Sequence, residues 1–445
     1  MPPFVSKLRS ALRAFSAARE GNVAITFAFA TLPIIALVGA SVDYSRANSV
    51  KAAMQTALDS TSLMLSKEAA TDTTDQLQAS ATKFFKAMFA PPGVTNIAVN
   101  VTYTTTGGSA VVLNGQADMP TTFMNVFGFQ TVTVKNSSTS KWGSVRLRVA
   151  LVLDNTGSMA DSGKLTALKS ATKNLLAQLQ SAASSAGDVY VSIIPFSKDV
   201  NVGSGYYDQT WIDWTSWNAN NQNCTWNWNG SNWTSTCTQK SHTTWNGCVT
   251  DRSKNLVPST TYGYDQSAQT PDTTKPDSLF VAEQYSSCPV AMMGLNYDWT
   301  TMNNLVDSMQ PNGNTNQPIG LVWGWQSLVG GGPLVAPLTS SDYTYQKIII
   351  LLSDGLNTQD RWYSNQSLID GRMLASDGTG TCANIKAAGI TIYTIQVNTA
   401  GDPTSTLLQN CASDTGKFWM LTSSGQIATT FQQIGTNLTQ LRVAQ

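Results

Sequence analysis

The side chains best suited to chemistry are oxygen donors placed where predicted strands end. Asp154, Thr156 and Ser158 follow the apolar run RLRVALVL, Asp354 follows KIIILLS, and Thr315 precedes a helical stretch. Carboxylate and hydroxyl oxygens are the ligands that hard divalent cations such as Mg²⁺ prefer in proteins. The pattern therefore predicts a cation site, with Mg²⁺ expected and Mn²⁺ or Ca²⁺ left open. Helix N-capping is the competing interpretation of the same small polar residues.

Four short runs rich in Val, Ile and Leu predict the strands that position these residues. The runs are RLRVALVLD, DVYVSIIPF, KIIILLSDG and GITIYTIQV, and helical stretches alternate with them. Buried strands that alternate with helices predict an α/β fold with a doubly wound, mainly parallel sheet. Ligands of such sheets bind beyond the carboxyl ends of the strands, which is where Asp154 and Asp354 are expected.

Taken together, the five residues resemble the metal-ion-dependent adhesion site of von Willebrand A domains, whose pattern is Asp-x-Ser-x-Ser, a later threonine and a later aspartate. The resemblance extends over residues 146–440, and Thr156 stands where the family usually has serine, which keeps a hydroxyl oxygen. A von Willebrand A-like fold is what the resemblance implies. It also implies a protein partner whose acidic side chain completes the coordination shell of the cation. The implied cation ligands are Asp154, Thr156, Ser158, Thr315 and Asp354.

The N-terminal segment has the composition of a membrane anchor. Residues 1–20 contain four cations against one acid, and the almost uncharged residues 21–43 follow. About 20 apolar residues span the bilayer core as a helix, and a basic flank favours the cytoplasmic side. We therefore expect a cytoplasmic basic leader, one transmembrane helix and an extracytoplasmic remainder. A cleaved signal peptide, with small residues at Val38-Gly39-Ala40, and a buried core helix are the alternatives.

Helical periodicity continues beyond the predicted span as a stem, because Val50, Met54, Leu58 and Leu65 recur at helical spacing. This helix and the segment REGNVAITFAFATLPIIALVGASVDYSRA resemble the TadE/TadG-like proteins of bacterial Flp (Tad) pilus assembly. The resemblance implies a single-pass protein of the bacterial inner membrane, with a cytoplasmic N-terminus and a periplasmic or surface-exposed bulk. It also implies other pilus-assembly components as partners. Thr26 occupies the position of a glutamate found in pilin-like members, so pilin-type cleavage is not expected.

The sequence of residues 44–145 predicts the helical stem and a small, β-rich membrane-proximal unit. A second helix in DTTDQLQASATKFFKAMFAPPG ends at two prolines and a glycine, and NIAVNVTYTTT, SAVVLNGQADM and QTVTVKNSS are candidate strands. The Gly107-Gly108 pair between the first two strands indicates a hairpin. No residue of this region suggests chemistry, and the apolar stretch TTFMNVFGF is expected to form local core.

An irregular insertion at about residues 200–297 interrupts the predicted α/β domain. Seven of the 13 tryptophans fall within residues 211–245. They predict either a small core of the insertion, which we favour, or an exposed recognition surface. The six cysteines all follow the apolar segment and predict disulfides in an oxidising compartment. Proximity in the sequence suggests the pair Cys224–Cys237. Cys382 and Cys411 lie in neighbouring predicted elements of the main domain, which suggests a second pair, and elimination leaves Cys248–Cys288.

Composition and missing motifs narrow the classes of function. Lys plus Arg and Asp plus Glu number 27 each, so no basic surplus predicts nucleic-acid binding. The single histidine, His242, lies in the insertion and no glycine-rich phosphate motif follows a strand, so no enzyme is expected. We expect a membrane-anchored, metal-dependent protein-binding module of pilus assembly or surface attachment. A free-standing surface adhesin, a passive structural component and a metal-assisted hydrolase are the alternatives.

Overall fold

The computed structural model describes residues 21–69, 71–183, 185–330 and 334–443. The predicted basic leader, residues 1–20, lies outside the described residues. The chain divides into two compact units, Met1–Trp142 and Gly143–Gln445. Each unit is described by itself.

In the part that the structure describes, the first unit has two helices and one antiparallel sheet with the strand order β1-β2-β3. The stem residues Met54, Leu58 and Leu65 are fully buried, because this face of the long helix packs on the sheet. The second helix begins with a capping box, in which Thr73 and Gln76 satisfy each other's backbone N–H groups. The elements are α1 (Gly21–Leu65), α2 (Thr74–Met88), β1 (Thr95–Thr104), β2 (Ser109–Pro120) and β3 (Thr131–Trp142).

From Phe27 onward, the N-terminal half of α1 exposes its large apolar side chains. Phe27 is 71% exposed, Leu37 is 72% exposed, and the large apolar side chains between them are exposed as well. Among the described residues, α1 is the one helix long and apolar enough to cross a membrane, with a mean hydropathy of 1.7 over its most apolar 18 residues. A buried core helix, one of the alternatives from the sequence, is therefore wrong for this segment.

The apolar stretch TTFMNVFGF is also exposed, so the prediction that it forms local core is wrong. Phe123, Val126, Phe127 and Phe129 are 42%, 82%, 57% and 61% exposed. The stretch forms the connection between β2 and β3 and contains a short 3₁₀ turn, Met124–Phe127. The stretch is too short for the spacing of its apolar residues to separate a core segment from an exposed loop.

The second unit is built on one ten-stranded sheet and a separate hairpin. Its strands are β4 (Val145–Asp154), β5 (Val189–Phe196), β6 (Val200–Asn201), β7 (Ile212–Asp213), β8 (Gln222–Trp228), β9 (Trp233–Gln239), β10 (Cys248–Thr250), β11 (Phe280–Ala282), β12 (Met293–Asn296), β13 (Thr344–Ser353), β14 (Thr391–Val397) and β15 (Phe418–Leu421). Its helices are α3 (Lys164–Ala182), α4 (Thr215–Asn220), α5 (Trp299–Ser308), α6 (Gln317–Val329), α7 (Gln366–Met373), α8 (Thr381–Ala387), α9 (Thr406–Cys411) and α10 (Gln426–Val443).

The centre of the sheet is parallel, with the strand order β15-β14-β13-β4-β5. Successive residues of a strand point to opposite faces of the sheet, and helices cover both faces. Leu151 of β4 packs in a cluster with α3, α5 and α10, whereas Val152 packs in a second cluster with α6, α7 and α8. The prediction of a doubly wound, mainly parallel, von Willebrand A-like α/β fold with a disulfide-rich insertion is confirmed.

The insertion is more closely integrated with the domain than its irregular sequence suggests. Its strands β6, β10, β11 and β7 extend the sheet beyond β5, in that order, while β12 pairs antiparallel with β5 itself. These strands have only two to four residues each. A segment of that length contains no repeat from which a strand could be predicted.

The tryptophans of the insertion divide into two groups. Trp217 and Trp245 are 2% exposed and meet Trp214 edge to face, so they form part of the core. The hairpin β8–β9 instead exposes its three tryptophans, Trp226, Trp228 and Trp233, by 63%, 54% and 64%. The favoured prediction therefore holds for the first group, and the recognition-surface alternative fits the second.

The structure contains three disulfides, and they are the pairs suggested from position. Cys224–Cys237 joins the two strands of the exposed hairpin. The other two lie in the body of the unit, with Cys248, Cys382 and Cys411 fully buried.

Candidate metal centre

The ends of two neighbouring parallel strands bring Asp154 and Asp354 together. Leu153 of β4 lies opposite Leu352 of β13, so Asp154 ends one strand and Asp354 follows the last residue of the other. The next strand along the chain, β5, pairs with the opposite edge of β4. The chain continues from β4 to β5 on one side of β4, whereas β13 lies on the other side. At such a point a crevice forms beyond the carboxyl ends of the strands, and doubly wound sheets bind their ligands there.

Hydroxyl groups connect the two carboxylates. Asp154 Oδ1 accepts hydrogen bonds from the backbone N–H and the hydroxyl of Thr156, at 2.9 and 2.6 Å. The Thr156 hydroxyl lies 3.1 Å from Ser158 Oγ, and Ser158 Oγ donates to Asp354 Oδ1 at 2.7 Å. Four of the five predicted site residues therefore form one continuous network of oxygen atoms.

Helix capping does not account for these hydroxyl groups. Thr156 precedes the 3₁₀ segment Gly157–Gly163, and its side chain makes no capping hydrogen bond there. The long helix α3 begins only at Lys164, after Gly163, again with no side-chain cap. The hydroxyl of Thr156 is directed to a carboxylate instead of to the free N–H groups of a helix.

Thr315 lies in a loop that borders the network. The backbone N–H of Gly157 donates to the carbonyl of Gly313 at 3.0 Å, which holds this loop against the one after β4. The N–H of Thr315 donates to Thr358 Oγ1 at 2.8 Å, which ties it to the loop after β13. Among the described residues, the structure gives no hydrogen bond from the Thr315 hydroxyl to either carboxylate. Thr315 is therefore adjacent to the network without being part of it.

The helix that follows Thr315 packs unusually close to the sheet. A Cβ atom at Gly324 of α6 would lie 2.6 Å from Val152 Cγ2, so only glycine allows this approach. At the start of the helix, Asn316 Nδ2 donates to the carbonyl of Lys198 at 3.0 Å and to Asp251 Oδ2 at 2.9 Å. These contacts fix the position of Thr315 relative to the strand ends.

Two members of the network were not predicted. Ser353 Oγ donates to Asp154 Oδ2 at 2.6 Å, and Lys164 Nζ forms a buried ion pair with Asp354 Oδ2. Ser353 could have been predicted from the sequence, since it is a polar residue at the end of an otherwise apolar strand, directly before Asp354. Lys164 could not, because a lysine in the first turn of a helix usually faces solvent.

The electrostatics of the network favour an added positive charge. Burial and, after it, the nearby charge of Asp354 raise the pKa of Asp154 to about 6, against the opposing effect of the hydrogen bonds from Ser353 and Thr156. Lys164 neutralises Asp354, but no ion pair among the described residues includes Asp154. The part of the chain that the structure describes has no group of three or more His, Cys, Asp or Glu side chains fit for a metal. The network offers two carboxylates, and its other oxygens are hydroxyls.

The only histidine is engaged in packing within the insertion. His242 stacks on Trp214 with ring centroids 3.8 Å apart, and its Nε2 lies 2.8 Å from Asn218 Oδ1. Burial lowers the pKa of His242. The ring is therefore part of the packing of the insertion.

The N-terminal segment matches the model of a known protein family. Residues 21–72 match the Tad family, described as Flp pilus-assembly TadE/G-like. The match covers the apolar and stem parts of α1 and ends before α2. A comparison with curated protein sequences gives no match.

Solved structures with similar folds include proteins of pili. The vWF domain of the type V pili tip protein Mfa5 from Porphyromonas gingivalis is 10% identical, with a TM-score of 0.36 over 67% of this chain and 97% of that one. The pilus adhesin SpaC from Lactobacillus rhamnosus GG, in its open conformation, is 14% identical, with a TM-score of 0.34 over 80% and 35%. Proximal thread matrix protein 1 from the mussel byssus, with a zinc occupied MIDAS motif, is 12% identical, with a TM-score of 0.33 over 67% and 46%. The chain thus spans less than half the length of the last two proteins, and likenesses at these scores carry no further argument.

Proposed function

We propose, from the pilus-assembly match of residues 21–72, that this chain is a membrane-anchored module that binds a protein partner through a divalent cation. The observation that carries the proposal is the continuous oxygen network that links Asp154 and Asp354 through Thr156 and Ser158. The network lies at the topological switch point of the sheet, where doubly wound folds bind ligands. We propose pilus assembly or surface attachment as the process that this module serves.

The residues present suit a hard divalent cation. Asp154 and Asp354 supply negative charge, and Thr156, Ser158 and the neighbouring Thr315 supply neutral oxygens. Mg²⁺ prefers such oxygen ligands and keeps some of its waters, while Mn²⁺ and Ca²⁺ accept similar donors. The raised pKa of Asp154 reflects a buried carboxyl that pays for its charge, and a cation would offset that cost.

The proposed partner presents a carboxylate. A divalent cation held here would accept an acidic side chain of the partner as an additional ligand. Asp154 is fully buried, whereas Ser158 and Gly157 are exposed, so the network is accessible from the side of Ser158. The hydroxyl groups of Thr156 and Ser158 lie between the two carboxylates, and Lys164 pairs with Oδ2 of Asp354. No covalent bond is made or broken in this function.

The exposed apolar part of α1 is the proposed membrane anchor. Its large side chains from Phe27 to Val42 face outward, and this length of helix matches the roughly 20 residues that a bilayer core requires. The basic leader before it favours a cytoplasmic N-terminus, with the second unit outside the inner membrane. A free-standing surface adhesin and a metal-assisted hydrolase are the rival functions.

The proposed function predicts a selective loss in cells. In bacteria that carry Asp154→Ala in place of the parental gene, we expect membrane levels of the protein near those of the parent and surface pili reduced about tenfold. The reason is that the substitution removes one of two carboxylates from the network and leaves α1 unchanged. Pili are counted by electron microscopy, and membrane levels are measured by immunoblotting.

Asp161→Ala provides the matched control for this experiment, because Asp161 is exposed in the same 3₁₀ segment and lies outside the network. Normal pili but lost adhesion to surfaces in the Asp154→Ala strain would favour the free-standing adhesin. Normal pili and normal adhesion would contradict the proposed function.

Lys164 is predicted to compete with the cation for Asp354. Lys164→Met removes one positive charge from the network, so we expect Mg²⁺ to bind about tenfold more tightly, as the Coulomb energy of nearby charges suggests. Without the cation the variant should be less stable, because Asp354 then has no positive partner. Isothermal titration and urea unfolding measure the two effects.

Lys173→Met is the control for Lys164→Met, since Lys173 lies on the same helix, α3, and forms a partly exposed ion pair with Asp307 of α5. Exposed pairs contribute little, so its effect on either measurement should be small. Cation affinity that is unchanged or weaker in Lys164→Met would contradict competition for Asp354.

A further inference from the structure

The loop between β2 and β3 exposes an apolar surface in the first unit. This loop, residues 121–130, contains no charged residue. Phe123, Val126, Phe127 and Phe129 are between 42% and 82% exposed. Large apolar side chains clustered on one exposed loop are a feature of binding surfaces.

Hydrogen bonds hold this loop in its exposed conformation. The carboxylate of Asp43, which is fully buried, accepts the backbone N–H groups of Thr122, Phe123 and Met124 at 3.0, 2.8 and 2.8 Å. At the base of the loop, the N–H of Thr121 donates to the carbonyl of Gln130 at 3.0 Å. The apolar side chains are thus presented outward by a fixed backbone.

The loop lies beside the end of the exposed apolar stretch of α1. A Cβ atom at Gly39 would be 2.5 Å from Phe123 Cβ, so the helix and the loop touch where the helix has no side chain. Further along, Arg46 Nη1 donates to Thr122 Oγ1 at 2.7 Å. Residues 39–46 cover about 10 Å of helix, so the loop has the same height as the end of the proposed span.

The residues around this junction have the pattern of a membrane interface. Val42 is exposed and ends the apolar stretch, and Tyr44, which is 68% exposed, and Arg46 follow it. Tyrosine and arginine are frequent at the level of lipid headgroups, where an apolar body and a polar end are both satisfied. Residues 121–130 therefore lie next to the exposed apolar surface of α1, for which we propose contact with lipid.

We propose that residues 121–130 insert into the interfacial region of the bilayer leaflet from which α1 emerges. This inference rests on the proposed membrane span of α1. The phenylalanine and valine side chains contact the acyl chains next to the headgroups, as the apolar faces of interfacial segments do. Asp43 couples this second contact to the helix, so that the first unit is held to the membrane at two points and its orientation on the membrane is fixed.

Fluorescence of labels at single introduced cysteines tests the proposal. The full chain is reconstituted in vesicles of phosphatidylethanolamine and phosphatidylglycerol, with its disulfides intact and an environment-sensitive fluorophore at Val126→Cys. The matched control is Thr106→Cys, at the exposed tip of the β1–β2 hairpin, about 35 Å away along β2. Ile35→Cys reports on the span itself.

We expect nitroxide-labelled lipids to quench the fluorophores at Val126→Cys and Ile35→Cys at least twofold more than the one at Thr106→Cys. Iodide in the water should quench them less than the control. Quenching at Ile35→Cys together with control-like behaviour at Val126→Cys would overturn the loop insertion and leave the anchor standing. Loss of iodide quenching at Val126→Cys without lipid quenching would assign the loop to a protein contact and overturn the proposal. No lipid quenching at Ile35→Cys would overturn both the anchor and the insertion.

Discussion

Replacing Arg372 by methionine is expected to lower the free energy of unfolding of the second unit by about 3–5 kcal/mol, as the loss of one partner from a buried charge network does. Arg372 is buried in α7, and its Nε donates to Asp265 Oδ2 at 2.8 Å. Its Nη2 lies 3.1 Å from Asp251 Oδ1, and Nη1 forms an ion pair with Asp360. The substitution leaves three carboxylates, each at most 2% exposed, without their shared cation.

The pKa values of the network agree with this dependence. Burial would lower the pKa of Arg372, but Asp251, Asp265 and Asp360 outweigh burial and raise it above its usual value. Burial also raises the pKa of Asp265, although Arg372 opposes that change. Without Arg372 these acids would have to take up protons or draw water into the interior.

Arg372 also connects the insertion to the α/β domain. Asp251 and Asp265 belong to the insertion, whereas Asp360 and Arg372 belong to the segments that follow β13. The variant should therefore release the insertion before the rest of the unit unfolds. Equilibrium urea unfolding, followed by near-ultraviolet circular dichroism of the tryptophans, measures both the loss and its cooperativity.

Two further variants separate the lost charge from the lost packing. Arg361→Met removes an arginine that is less buried and donates to the carbonyl of Asp251, so its cost should stay below about 1 kcal/mol. Adding Asp251→Asn, Asp265→Asn and Asp360→Asn to Arg372→Met should recover part of the loss, because no buried charge is then left unpaired. A cost below 1 kcal/mol for Arg372→Met would contradict this account of the insertion.

The central fold was predictable because its strands are long and apolar. The strands β4, β5, β13 and β14 have seven to ten residues each, and each was recognised from a run of Val, Ile and Leu. Their alternation with helices determined the doubly wound arrangement. The positions of Asp154 and Asp354 at the carboxyl ends of strands follow from that arrangement, whereas the structure shows that the two strands are neighbours.

What the sequence could not supply depends on contacts between distant segments. The two-residue strands β6 and β7 become strands only through pairing with the sheet, since their own residues carry no pattern. Lys164 joins the metal-centre network because the helix α3 begins beside β13, 190 residues away in the chain from Asp354. The apolar composition of TTFMNVFGF, residues 121–129, predicts core, whereas backbone contacts with Asp43 hold this loop in an exposed conformation.

Replacing either carboxylate of the metal centre is expected to lower the affinity for Mg²⁺ by at least about 100-fold, because hard cations depend on ionised oxygen ligands. Asp154→Ala removes the acceptor of two hydrogen bonds from Thr156 and one from Ser353. Asp354→Ala removes the acceptor of the Ser158 hydroxyl and the partner of Lys164. Each variant leaves a single carboxylate in the network, which halves the negative charge that attracts a divalent cation.

The fold should survive Asp154→Ala better than Asp354→Ala. Burial and Asp354 both raise the pKa of Asp154, so its charge opposes folding and its removal relieves that cost. Asp354 instead compensates the buried Lys164, and its loss leaves a lysine without a partner. Circular dichroism of both variants identifies any loss of binding that arises from unfolding.

Isothermal titration of Mg²⁺, and separately of Mn²⁺, into the purified full chain in detergent is the most direct test of the metal centre. The proteins compared are the parent, Asp154→Ala, Asp354→Ala and the control Asp161→Ala, all with their disulfides intact. We predict binding of one cation by the parent and by Asp161→Ala, and no binding by either of the other variants while they are folded. A folded parent that binds neither cation, or a folded Asp154→Ala that binds as the parent does, would contradict the account and leave the network as a set of loop hydrogen bonds.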